Sequence, residues 1–127
     1  MSLDNRTLSE SVASVQKPDD FDYAIANFLD RFKRDPRPGL LVDEPPLLVG
    51  RLNDEGLADA YVAAVAAHLC QQQGLPFPKW VGSSMRIKKR PWFAAKTPNL
   101  KAILLQESPA AFRVRNLFVS ANALSRA

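Results

Sequence analysis

Apolar residues recur at helical intervals in two stretches of the chain. Phe21, Ile25, Phe28 and Phe32, with Ala24 and Leu29 beside them, step by three and four and draw one stripe along a helix over residues 19–34. Pro18 stands where a first helical residue is pre-set, Asp19, Asp20 and Asp22 suit the positive end of the helix dipole, and Asp35-Pro36 ends the run. Leu57, Tyr61, Val65 and Leu69 mark one face of a second helix over 54–73, capped by Asn53 or Asp54. Its alanines at 58, 60, 63, 64, 66 and 67 make it helix-favouring and thin, and Gly74 with Pro76 terminates it.

Outside these two helices the pattern is weaker. Residues 1–17 are mostly polar, with Leu3, Leu8, Val12 and Val15 spaced only for a marginal helix, and read as a flexible N-terminal arm before a single compact domain over 18–127. Between Pro36 and Gly50 four prolines make a connector whose Leu40, Leu41, Leu47, Leu48 and Val49 should lie on the core. Leu75 to Val81 is an extended, proline-stiffened segment that can lay Phe77 and Trp80 against the helices. Met85 to Lys88 reads equally as a short strand or as a helical turn capped by Ser83. Short helices follow Asn99 and Ser108-Pro109, and Leu117-Phe118-Val119 has strand character. The expected fold class is mainly α, with two principal amphipathic helices, short C-terminal helices and room for a minor two-stranded β element near Arg86 or Leu117.

Charge changes this picture. Residues 1–74 hold 7 of the 17 basic and 12 of the 13 acidic residues, a balance of −5, while residues 75–127 hold the other 10 basic residues against Glu107 alone, a balance of +9. Such a division points to an anionic partner, or to two halves that neutralise each other across an internal interface. The densest stretch is Arg86-Ile87-Lys88-Lys89-Arg90-Pro91-Trp92-Phe93, where cations adjoin two large aromatics. Trp92 and Phe93 are either a stacking platform for unpaired bases or buried anchors, and a small domain with two tryptophans favours anchors. Arg86, Lys88, Lys89 and Arg90, extended by Arg113 and Arg115, are then the expected basic binding face.

Candidate chemistry adds little. His68 and Cys70 sit two positions apart on one helix, about 200° around its axis, and cannot share a metal. The acids cluster at helix starts and loops, with no nucleophile–base pair, so neither catalysis nor a metal or other cofactor is expected. One cysteine excludes an internal disulfide and fits a reducing, cytoplasmic setting. No apolar run approaches the ~20 residues of a membrane span, and the polar N-terminus reads against secretion.

Phe32-x-x-Asp35-Pro36, Glu44-Pro45-Pro46-Leu47-Leu48, His68-Leu69, Gly74-Leu75-Pro76-x-Pro78-x-Trp80, Arg90-Pro91-Trp92-Phe93 and Glu107-Ser108-Pro109-Ala110-Ala111-Phe112-Arg113-x-Arg115-Asn116-Leu117-Phe118-Val119-Ser120 together form a pattern from Phe21 onward. It resembles a family of small bacterial proteins that occur alone or joined to helix-turn-helix regulators. They look like antitoxin-type partners in toxin–antitoxin loci, some beside nucleotidyltransferase-like proteins. The resemblance implies a non-catalytic protein that binds and neutralises a cognate partner encoded nearby. Residues 1–17 are too few for a helix-turn-helix, so operator binding by that route is not expected here. A nucleic-acid-binding regulatory module, DNA or RNA, is the alternative use of the same basic face.

Overall fold

The computed structural model describes residues 6–124. Five helices, α1 Leu8–Ala13, α2 Pro18–Arg34, α3 Leu57–Gln73, α4 Pro98–Glu107 and α5 Ala110–Arg113, and two short strands, β1 Trp92–Phe93 and β2 Leu117–Phe118, follow one another with three 3-10 turns between them. The fold is mainly α with a minor two-stranded sheet, and no helix among the described residues is long and apolar enough to cross a membrane.

α2 forms as its pattern dictates. The Asp20 carboxylate accepts from the free amides of Gln16 and Lys17 at 3.1 and 3.3 Å, and Phe21, Ile25, Phe28, Leu29 and Phe32 bury their side chains. Asp35, held off helical geometry by Pro36, ends the helix. α3 differs from the expected single face. Val65 and Leu69 are buried, but so are Ala58, Ala60, Val62, Ala63, Ala64, Ala66, Ala67 and Cys70, so α3 is enclosed nearly all round as the central rod of the core. The alanines permit this by letting neighbours approach from every side. Asp54 caps it, accepting from Gly56 and Ala58 amides at 3.1 and 2.9 Å. Gly74, at φ 67°, closes it in the left-handed conformation expected of glycine.

The expected flexible arm is, from Arg6 onward, ordered structure; Met1 to Asn5, and with them Leu3, lie outside the described residues. Thr7 and Glu10 form a reciprocal capping box on α1, and Leu8, Val12 and Val15 are all fully buried in the core. Ser11, also buried, accepts a 2.7 Å bond from the Arg31 guanidinium of α2. A helix of six residues has no stability of its own. Its burial against α2 supplies what its local sequence does not.

The proline-rich connector lies on the core through Leu40, Leu41 and Leu48, whereas Leu47 and Val49 face solvent. The connector is tied through its backbone at several points, two of them near its ends. The Leu41 carbonyl accepts from the Trp80 indole at 3.0 Å, and the Leu48 amide donates to the Asp59 carboxylate at 2.6 Å. Trp80 is buried as expected, and Phe77 is exposed instead.

β1 and β2 pair in parallel, Trp92 opposite Leu117 and Phe93 opposite Phe118. The segment that carries α4 and α5 supplies the crossover such a pairing requires. Thr97 rather than Asn99 caps α4, accepting from Leu100. Ser108 does more than open α5: its buried hydroxyl donates to the Leu104 carbonyl at 2.6 Å and accepts from the Val119 amide at 2.8 Å, which stitches the end of α4 to the strand side. One hydrophobic cluster runs from Leu8 through α2, the connector and α3 to Phe112, Leu117 and Val119.

Candidate interaction cleft

The six basic residues expected on one face divide three ways. Arg86 is not on the surface at all. Its side chain is fully buried, donating to the Asp59 carbonyl at 3.3 Å, to the Pro45 carbonyl and to the Glu44 carboxylate at 3.3 Å. Its guanidinium also lies 5.0 Å from the centre of the Trp80 ring. Arg115 is likewise buried, donating to the Ala111 carbonyl at 2.7 Å and the Val81 carbonyl at 2.6 Å. Burial lowers its pKa from the ordinary arginine value. Both were expected to face outward, and both instead donate to backbone carbonyls from inside the fold: Arg86 joins the connector at Pro45 to α3 at Asp59, and Arg115 joins Val81 of a 3-10 turn to Ala111 of α5.

Arg113 is exposed, fixed on the Gln106 and Ser108 carbonyls at 3.2 and 2.8 Å. It caps the end of α4 and stands apart from Lys88, Lys89 and Arg90.

Lys88, Lys89 and Arg90 come together as one wall of an open cleft of about 530 Å³. Glu55 and Gly56 line it as well, and Val49, Met85 and Ile87 add apolar surface. The local sequence explains the arrangement. Ser83 accepts from the Met85 amide at 3.2 Å and starts a 3-10 turn, Ser84–Arg86, which turns Arg86 inward and leaves Met85 and Ile87 in solvent. Of the two conformations open to this stretch, the turn is adopted. The Lys88 amide then donates to the Arg115 carbonyl at 3.1 Å, and the Asn116 side chain donates to the Lys88 carbonyl at 2.7 Å. These bonds fix the direction of the cation run as it enters β1.

The three cations differ in state. Lys88 is largely covered, its ammonium 3.9 Å from the Glu55 carboxylate and 3.5 Å from the Glu55 carbonyl. Lys89 and Arg90 are exposed and make no ion pair among the described residues. Asp59, at the bottom of the cleft, is buried, and burial raises its pKa against the opposing effects of the Leu48 amide and Arg86. It is occupied with holding the connector.

The aromatics beside the cations turn inward as anchors, though incompletely. Trp92 is half-buried and packs on the core, while Phe93, half-buried, stacks on Phe118 at 4.8 Å between ring centres with the Lys101 ammonium 5.4 Å away. Neither is among the residues lining the cleft.

Glu55, Val49, Met85 and Ile87 escaped the reading of the sequence as functional residues. Alternation of Met85 and Ile87 with Arg86 and Lys88 was the available signal, and it did not say which set faced out. His68 and Cys70 are separate from the cleft: His68 is half-buried with its ring at a steep angle to that of Phe112 and 6.2 Å between ring centres, and burial lowers its pKa, while Cys70 is buried with its pKa raised by burial. Among the described residues no three His, Cys, Asp or Glu side chains stand together as a metal site. Comparison of the chain with protein families, with curated proteins and with solved structures found no match in any of the three.

Proposed function

We propose that this chain is a non-catalytic interaction protein, antitoxin-like in the sense its sequence pattern suggests, which binds and neutralises a cognate partner protein presenting an acidic surface. The contact is made at the cleft, by Lys88, Lys89 and Arg90. One observation carries the choice of protein over nucleic acid. The side chains exposed among the cations are Met85 and Ile87, not rings, while Trp92 and Phe93 are turned toward the fold. A single-strand platform needs exposed rings next to its cations, whereas a protein interface combines apolar and charged side chains. The buried, unpaired Cys70 supports a reducing compartment, the cytoplasm.

Co-expression of the chain with the product of the adjacent gene tests the reading. Co-elution of the two at micromolar concentration is the expected result, and separate elution removes it. A nucleic-acid module would instead show binding to DNA or RNA that falls steeply between low and physiological salt, through counterion release.

A further inference from the structure

Glu55 occupies an unusual position in the cleft. It is a non-glycine residue at φ 57°, followed by Gly56 at φ 81°. An L side chain adopts this left-handed conformation only under strain. The strained turn carries the Glu55 carboxylate to Lys88, yet that carboxylate is 81% exposed and sits 3.9 Å from the ammonium. Such a pair is solvent-screened and easily exchanged. Beside it, Lys89 and Arg90 make no ion pair among the described residues, and the other carboxylate at the cleft, Asp59, is committed to the Leu48 amide at 2.6 Å. What the cleft offers a ligand is therefore positive.

The apolar part is equally specific. Val49, Met85 and Ile87 are 50%, 60% and 43% exposed, which leaves aliphatic and thioether surface in water at the foot of a cationic wall. Methionine adapts its shape to an incoming side chain. A volume of about 530 Å³ holds a few residues of peptide.

Resting on the interaction reading above, we infer that the cleft receives a short acidic segment of the partner protein anchored by an aliphatic side chain, with Glu55 as the chain's own carboxylate standing where the partner's carboxylate will bind. The segment's acids pair with Lys88, Lys89 and Arg90, and its aliphatic side chain covers Val49, Met85 and Ile87. Glu55 is displaced from Lys88 on binding.

Fluorescence anisotropy with the full chain and three labelled probes tests this: an eight-residue peptide of Glu, Asp and Leu, the same peptide with Ser for Leu, and a twelve-residue oligothymidylate. The leucine peptide should bind, and its serine counterpart should bind at least about tenfold more weakly, the equivalent of one buried aliphatic side chain. Glu55→Gly keeps the left-handed turn and removes the competing carboxylate, so it should tighten the leucine peptide by about two- to fivefold, the worth of one exposed ion pair. Met85→Ser with Ile87→Ser, both at exposed positions, should weaken the peptide and release the complex with the adjacent gene product. No peptide binding, an unchanged or weaker affinity in Glu55→Gly, or tighter binding of the oligothymidylate overturns the inference. If the complex forms and survives the Met85→Ser/Ile87→Ser change, the cleft assignment fails and the interaction reading stands. If no complex forms, the interaction reading fails and this inference with it.

Discussion

Arg86 and its neighbour Lys89 carry the same charge three positions apart and do opposite things. Arg86 threads inward and serves the Asp59 and Pro45 carbonyls and the Glu44 carboxylate, with Trp80 against its plane. Removing it leaves buried acceptors without donors, so Arg86→Met should destabilise the fold by about 3 kcal/mol in urea unfolding. Arg86→Lys should recover little of that, because one ammonium cannot span three acceptors and stack on an indole. Lys89→Ala and Arg90→Ala should leave the urea midpoint within the scatter of the measurement. The sequence shows four cations within Arg86 to Arg90 and no means of sorting them, since the acceptors that draw Arg86 inward lie 27, 41 and 42 residues earlier in the chain. Arg115 was misplaced for the same reason: its acceptor at Val81 is 34 residues away. Glu55 was legible only as a loop acid, because its left-handed backbone is not visible in a residue type that rarely adopts it.

Among elements, α2 and α3 were legible because their local signals and their burial agree, and α1 was not because they conflict. Four apolar residues in a polar stretch, Leu3, Leu8, Val12 and Val15, predict only a weak helix, and the structure makes it a firm one by placing Leu8 and Val12 wholly inside. Leu8→Ala should therefore cost about 2–4 kcal/mol, as for any deep core truncation, and Thr7→Ala about 1 kcal/mol through the lost cap. A flexible arm would give values near zero for both. α3 carries a pH dependence as well. Burial lowers the His68 pKa below 6.5, so folding resists its protonation. The sign follows from linkage: the contribution is fully present above pH 6.5 and is lost as pH falls through the lower folded value. Wild type should thus lose thermal stability on acidification below 6.5 more steeply than His68→Gln. Asp59, with its pKa raised by burial, has the opposite sign: its contribution is present below 3.8 and is lost as pH rises through the higher folded value. Taking the difference between wild type and His68→Gln cancels this common term.

At the scale of the whole molecule, the −5 and +9 halves meet inside one core. Ion pairs cross the division, among them Arg86 with Glu44 and Lys88 with Glu55. The internal neutralisation anticipated from the charge pattern is therefore real in part, and the remaining surplus lies on residues such as Lys89 and Arg90. The hydrophobic cluster makes the same crossing, with Phe112 of α5 and the Leu117 strand packed in continuity with α2 and α3. Neither half can be expected to unfold alone, because each leaves the other's apolar surface open. The chain's own reporters can test this. Both tryptophans, Trp80 and Trp92, lie in the basic half, whereas α2 and α3, 17 residues each, supply most of the helical signal from the acidic half. Urea unfolding followed by tryptophan fluorescence and by far-ultraviolet circular dichroism should give one midpoint and one slope, as a single cooperative unit requires. A fluorescence transition that precedes the loss of helix would mean that the basic module detaches first. These ion pairs and the shared core would then be too weak to join the halves.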